Sequence, residues 1–271
     1  MTDFDYDAIV VGGGAAGLAA TMVLARARRR VLLVDAAQQN NLRTTHAGGV
    51  FLHDGEAPTA LYARGREQLA AYPTVEFRAG VVEDVEAIEG GVRVGDLRTR
   101  TLVLAQGVQF APSPIPGADE LWGTSVVNCP FCDGYESRGV RVLVAGTQDY
   151  LDHMRGMLPL WIDDLTFVEQ SDITRFEPAE GGLRATFTDG RSEHFGRAFV
   201  LQPFAQRTAL ADQLGCVRAE GGPLTVDEMG QTSVPGVFAA GDQTARAMQV
   251  NLAVGAGHLA GVGAVFTLTQ H

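Results

Sequence analysis

Apolar positions in this chain fall in short unbroken runs more often than in strict alternation. Ala8, Ile9, Val10 and Val11 form one run, and Val31, Leu32, Leu33 and Val34 form another, closed by Asp35. Strands covered on both faces need such runs, so both predict buried parallel strands. A glycine turn and a helix from Ala15 to about Arg28 lie between them, which makes residues 7–35 a βαβ unit. Residues 56–72 predict a helix with Leu61, Leu69 and Tyr72 on one side. Residues 75–105 alternate more and carry glycine breaks; they predict a small β-meander ending in the buried run Thr101 to Ala105. Ala111-Pro112-Ser113-Pro114-Ile115-Pro116-Gly117 reads as a linker. Beyond it, strands are expected at Val140 to Ala145, Leu165 to Val168 and Val234 to Ala240, with hairpins over 182–201 turning at Gly181-Gly182 and Asp189-Gly190. Residues 248–268 are small or apolar and predict a helix. No apolar run approaches the roughly 18 residues of a bilayer span.

Length and charge narrow this picture. At 271 residues the chain has room for about two domains. The formal net charge of −11 argues against nucleic acid and anionic membrane as partners. Every basic residue is Arg, so there is no lysine for a Schiff base or a P-loop. The N-terminus carries Asp3, Asp5 and Asp7 and no basic stretch, unlike a signal peptide. The only cysteines are Cys129, Cys132 and Cys216, too few for a secreted disulfide scaffold. The expectation is a soluble cytoplasmic protein.

Gly12, Gly14 and Gly17 fit G-x-G-x-x-G between the first strand and its helix. The first glycine allows the tight turn, the second lets backbone meet a pyrophosphate, and the third lets helix and strand pack closely. Ala15 and Ala16 open the helix whose N-terminus faces the phosphates, and Asp35 stands where a carboxylate can hold a ribose hydroxyl. Either NAD or FAD would suit this motif alone. The segment Thr232-Ser233-Val234-Pro235-Gly236-Val237-Phe238-Ala239-Ala240-Gly241-Asp242 resembles the C-terminal flavin motif of two-dinucleotide-binding flavoproteins, which points to FAD. That resemblance implies that Asp242, after Gly241, bonds the ribityl chain and that a helix starting near Met248, Gln249 and Val250 caps the flavin ring. Of the usual Arg-Gln pair at that helix start, only Gln249 is present.

Cys129-Pro130-Phe131-Cys132-Asp133-Gly134 is the second centre of chemistry. Pro130 suits a first helical position, with Cys129 as N-cap and Cys132 one turn on. Two such sulfurs can close a small, labile disulfide, and Asp133 can move a proton. Zinc is the rival, but one C-x-x-C supplies two ligands, with no second pair nearby; no metal is expected. Cys216 reads as structural.

With these motifs in this order, nearly the whole chain resembles the low-molecular-weight thioredoxin reductase family. The resemblance implies an α/β two-dinucleotide-binding-domain flavoprotein: a Rossmann-like FAD domain at 1–113 and 200–271, split by a short C-x-x-C-bearing domain at 114–199. It implies Cys132 nearer the flavin, Cys129 attacking external substrate, Asp133 as proton donor, and a homodimer. The departures lie in the insert. Where a pyridine-nucleotide site needs G-x-G-x-x-A/G, this chain has Val144-Ala145-Gly146-Thr147-Gln148-Asp149-Tyr150-Leu151, and the next strand leads into the acidic stretch Glu169-Gln170-Ser171-Asp172 instead of arginines. No functional NADPH site is expected.

Two NADPH-independent branches are similar to what remains. Dithiol oxidases of gliotoxin- or holomycin-type pathways, which pass electrons from C-x-x-C through FAD to O2, resemble it in His46-Ala47-Gly48-Gly49-Val50-Phe51-Leu52-His53-Asp54-Gly55 and in Gly134-Tyr135-Glu136, although they commonly carry His where this chain has Asp133. Ferredoxin-linked thioredoxin reductases keep that Asp. The expected function is an FAD-dependent dithiol/disulfide oxidoreductase acting on a small dithiol or a thioredoxin-like protein, with O2 favoured over ferredoxin as electron partner. The alternative of another class is a non-catalytic FAD-binding redox sensor. His46 and His53 read as loop histidines.

Overall fold

The computed structural model describes residues 4–220, 222–245 and 247–269; Asp3 of the acidic start lies outside them. It divides into two compact units, one of residues 1–40, 59–109 and 205–271, the other of residues 41–58 and 110–204. The units differ from the expected domains mainly at 41–58, which belongs with the cysteine-bearing unit. Local contacts account for this: Arg43 donates to the Asp119 carbonyl at 2.7 Å, and a side chain on Gly48 would stand 2.1 Å from the Cys132 carbonyl oxygen.

The first unit opens as expected with β1 (Tyr6–Val11), α1 (Ala15–Arg26) and β2 (Val31–Asp35). Then come α2 (Pro58–Ala70), β3 (Val75–Ala79), β4 (Val85–Ile88), β5 (Gly91–Val94) and β6 (Leu97–Leu104). In α2 the buried residues are Pro58, Tyr62 and Leu69; Leu61, and Tyr72 just beyond the helix, are only half-buried. The expected meander over 75–105 is corrected at its start: β3 pairs in parallel with β2, and only β4, β5 and β6 run antiparallel. An edge strand exposed along most of its length alternates because one side meets water, whatever the direction of its neighbour. The sheet runs β3-β2-β1-β6-β5-β4.

Short strands β7 (Val108–Phe110) and β15 (Phe204–Gln206) lie where the chain passes from one unit to the other. The second unit contains β8 (Val126–Val127), α3 (Pro130–Asp133), β9 (Val142–Gly146), α4 (Gln148–Met157), β10 (Leu165–Glu169), β11 (Ile173–Ala179), β12 (Gly182–Phe187), β13 (Ser192–Phe195) and β14 (Arg197–Val200). Strands β10-β9-β14-β8 form a parallel sheet, and β11-β12-β13 an antiparallel one. The hairpin turns fall as expected, but β14 leaves the hairpins for the parallel sheet. Alternation along β9 feeds two cores. Leu143 and Ala145 pack with Leu183 and Phe195, while Val142 and Val144 pack with Leu151, Met154 and Phe199.

The chain ends in the first unit with α5 (Ala209–Gln213), β16 (Val237–Ala239) and α6 (Val250–Leu268). β6 is shared along its length: Val92 faces Thr99 from β5, and Val237 faces Leu102 from β16. Helix α6 corrects the expectation that no apolar run is long enough to cross a bilayer. It has 19 residues with mean hydropathy 1.4, enough by length and composition. Its small residues close against α1, where a side chain on Gly257 would stand 2.0 Å from the Ala16 carbonyl oxygen.

Candidate functional site

The chemistry-bearing cysteines are set by one tight turn in the second unit. Cys129 is extended and precedes Pro130, and its carbonyl accepts the backbone N–H groups of Cys132 and Asp133 at 3.1 and 3.0 Å. That fold-back puts the two sulfurs 2.7 Å apart, both cysteines half-buried. The Cys132 thiol donates to Cys129; this bond, with the Phe131 and Cys132 amides, pulls the Cys129 thiol below its usual range. Holding the proton in that same bond, and then burial, push Cys132 far up. Cys129 is therefore the more acidic thiol of the reduced pair. Beside it, the exposed Phe131 ring stands edge-on to Trp161 at 5.5 Å.

Asp133 lies within a small charged cluster. Its Oδ1 is 3.5 Å from His46 Nε2 and 3.5 Å from Arg197 Nη1, and Glu136 stands 4.0 Å from the same histidine nitrogen. The side chains of Asp133, His46 and Arg197 are only 14%, 19% and 20% exposed. Burial pushes the Asp133 carboxyl up to about 6, with Arg197 and His46 opposing and Glu136 assisting. Both His46 Nε2 and Arg197 Nη1 are buried with no hydrogen bond made. The sequence marks His46 only as a loop histidine and does not single out Arg197. Both come from segments remote from the cysteines, and no local pattern marks them.

The expected cofactor residues all lie in the first unit. Gly12 has φ +108°, and a side chain on it would meet the Ala105 carbonyl oxygen at 2.3 Å; one on Gly17 would meet the Gly12 oxygen at 1.8 Å. Gly14 caps α1 without a side-chain bond, and a side chain on it would meet the Gln39 side chain in ordinary contact at 3.5 Å. Asp35 accepts the Gly13 and Ala37 N–H groups and the Gln39 amide, at 3.0, 3.1 and 3.0 Å. Gly241, at φ +78°, would carry a side chain 3.0 Å from Ala16, so the end of β16 and the start of α1 meet as the two motifs require. Asp242 follows, its carboxyl pushed up to about 6 by burial alone. Gln249 caps α6, and Val250 opens it. Nearby, Gln106 donates its backbone N–H to Gln243, while its own Oε1 is buried without a hydrogen bond. A glycine cradle with no room for side chains at Gly12 and Gly17, a buried carboxyl and an orphaned acceptor suit a bound dinucleotide. Gln106 and Gln243 were not among the expected residues.

The second strand–turn–helix is closed. At the end of β9, a side chain on Gly146 would stand 2.3 Å from the Tyr150 ring, and Leu151 is fully buried below it. The Tyr150 hydroxyl is buried with no hydrogen bond, and burial followed by the charge of Cys129 pushes its pKa up. β10 ends at Glu169, followed by Gln170, Ser171 and Asp172, with no arginine in that stretch.

Cys129, Cys132 and Asp133 thus gather in one unit, and Gly12, Gly14, Ala15, Ala16, Gly17, Asp35, Gly241, Asp242, Gln249 and Val250 in the other. Two sheets, one mixed and one parallel, each with a glycine-ended strand running into a helix, define a two-dinucleotide-binding-domain flavoprotein fold. The profile of the pyridine nucleotide-disulphide oxidoreductase family matches residues 6–147 and 163–257, and the chain belongs to that family. It is an FAD-dependent disulfide oxidoreductase of the thioredoxin reductase-like kind. The thioredoxin reductase tcpT of Claviceps purpurea is 30% identical over 77% of each chain. An oxidoreductase from Agrobacterium tumefaciens superposes with a TM-score of 0.87 at 32% identity, over 98% of this chain and 99% of that one. The protein HlmI superposes with a TM-score of 0.89, also at 32% identity, over 97% and 92%.

Proposed function

We propose that this enzyme oxidises a substrate dithiol through the Cys129–Cys132 pair, with FAD as its resident cofactor and O2 as final acceptor, and takes no electrons from NADPH or NADH. The glycines at 12, 14 and 17, with Ala15, Ala16 and Asp35, hold the adenosine and pyrophosphate; Gly241, Asp242, Gln249 and Val250 hold the flavin side. Bound FAD supplies a two-electron acceptor for the reduced cysteines. The chain's own residues do the thiol work. A substrate thiol gives its proton to Asp133 as it attacks Cys129 in the disulfide, Cys132 leaves, and its sulfur takes that proton. The second substrate thiol then closes the substrate disulfide and releases Cys129.

The observation that carries this reading is the Tyr150 ring over Gly146, which fills the second nucleotide turn while the thiol pair beside a buried Asp133 stays intact. Asp133 itself favours a second reading, in which a ferredoxin-type donor drives reduction of a thioredoxin-like disulfide. A second copy of the chain and a cytoplasmic setting complete the proposal, the former supported by exposed Leu252, Leu259 and Phe266 along α6.

Anaerobic flavin spectra with NADPH, NADH, dithiothreitol and reduced ferredoxin, taken side by side, test it. Dithiothreitol should bleach the flavin, the nucleotides should not, and air should then restore it with peroxide formed. Rapid stoichiometric bleaching by NADPH would overturn the reading. A reduced flavin stable in air but re-oxidised by a thioredoxin disulfide would transfer it to the ferredoxin-linked form.

A further inference from the structure

His46 comes from the 41–58 segment, and its imidazole nitrogen is 3.5 Å from the Asp133 carboxyl, behind the redox cysteines. Two features fix it there. The segment is held against the motif by Gly48, where any side chain would strike the Cys132 carbonyl oxygen. The His46 Nε2 atom is also buried without a hydrogen bond, a state that persists only where a group has a use or a further partner. The other charged or titratable groups facing this pair are Glu136 and the two thiols beside α3, and Arg197 from β14; Tyr150, from α4, faces Cys129.

We propose that His46 is a positioning residue for the thiol chemistry: its imidazole and the Asp133 carboxyl act as one proton-exchanging pair beside Cys132. The inference rests on the thiol–disulfide reading above. When protonated, the imidazole opposes the burial that raises the Asp133 carboxyl and so favours the ionised form that accepts a proton. In the exchange, the attacking thiol gives its proton to Asp133, the Cys129–Cys132 bond breaks as the substrate–Cys129 bond forms, and the departing Cys132 sulfur takes the proton. The proton count closes within the site, and electrons move only between sulfurs. Burial pushes the Asp133 carboxyl to about 6 even with His46 and Arg197 beside it. Without the histidine charge it rises further, and less of the ionised base is available at neutral pH.

The test is the pH profile of dithiothreitol-driven flavin reduction, measured anaerobically for the unaltered holoenzyme and for His46→Gln. The acid limb of the variant should move up by about one pH unit, the rate at pH 6 should fall about fivefold, and KM for the dithiol should stay within about twofold. An acid limb that does not move, whether or not the rate falls, would overturn the proposal, because a merely structural histidine lowers the rate without shifting the inflection. A second measurement needs no His46 variant. With 13C-labelled histidine, one of the chain's 6 histidine signals should titrate at lower pH in Asp133→Asn than in the unaltered chain. If every histidine titrates alike in the two proteins, the pair does not exist. Failure of the unaltered enzyme to be reduced by dithiol at any pH would count against the proposed function, and the histidine titration would still decide the pair.

Discussion

The chain builds the same strand–turn–helix twice and treats it in opposite ways. After β1, three glycines leave the turn bare, and no side chain could be added at Gly12 or Gly17 without striking backbone. After β9 a single glycine remains, and the turn is covered by its own helix, with the Tyr150 ring where the backbone would otherwise meet a phosphate. One βα turn is a cradle and the other a plug. The fold needs only that the helix pack back on the sheet, which Leu151 accomplishes as well as a glycine does. Keeping the turn empty is a requirement of the ligand.

That contrast can be broken most severely at Gly17. Gly17→Ala forces a methyl into the Gly12 carbonyl, and should cost about 3 kcal/mol and most of the bound flavin; flavin absorbance per protein and the urea midpoint measure it. Full flavin content in a stable variant would mean that the first turn is not a ligand-shaped cradle. The second turn offers an intermediate test. Tyr150→Ala empties the plug and should cost about 2 kcal/mol, since the ring is only partly buried among Val144, Leu151 and Phe199. NADPH should remain a poor reductant, because no arginine follows β10 to hold a 2′-phosphate. New NADPH-driven bleaching in stopped flow would show that the ring alone closed the site.

The smallest effect is expected at Asp242, at the far end of the open cradle. Its carboxyl is pushed up to about 6 by burial, from an ordinary value of 3.8. The folded apoprotein therefore holds this proton more tightly than the unfolded chain. The stability it contributes is full below pH 3.8 and is lost as pH rises through about 6. Asp242→Asn should flatten that slope between pH 4 and 6 and stabilise the apoprotein at pH 7 by about 1–2 kcal/mol, read by chemical denaturation. An unchanged slope would show that the carboxyl is already solvated.

Most of the open turn was legible in the sequence, because strand, glycines, helix and acid follow one another within 6–35 and each has a local cause. The redox turn was legible too, since Pro130 fixes where α3 begins. What escaped was assembled across the chain. His46 and Arg197 reach Asp133 from separate segments, and neither has a neighbour that advertises a role. Tyr150 was visible as part of a damaged motif, but only packing shows its ring to be the plug. β3 was misread because its exposed pattern is that of any edge strand. Helix α6 shows the converse, with a composition suited to lipid and one face given to α1.

The position of β16 bears on how the protein is born. β6 pairs with β1 and β5 early in the chain, but its C-terminal half waits for residues 237–239 and α1 waits for α6. On a ribosome the first unit stays unfinished until the last helix leaves the exit tunnel, whereas the parallel sheet of the second unit has all its strands by Val200. The later unit in space is the earlier one in time: pulsed hydrogen exchange on stalled nascent chains ending near residue 240 should find the amides of β9 and β14 protected while those of α1 still exchange.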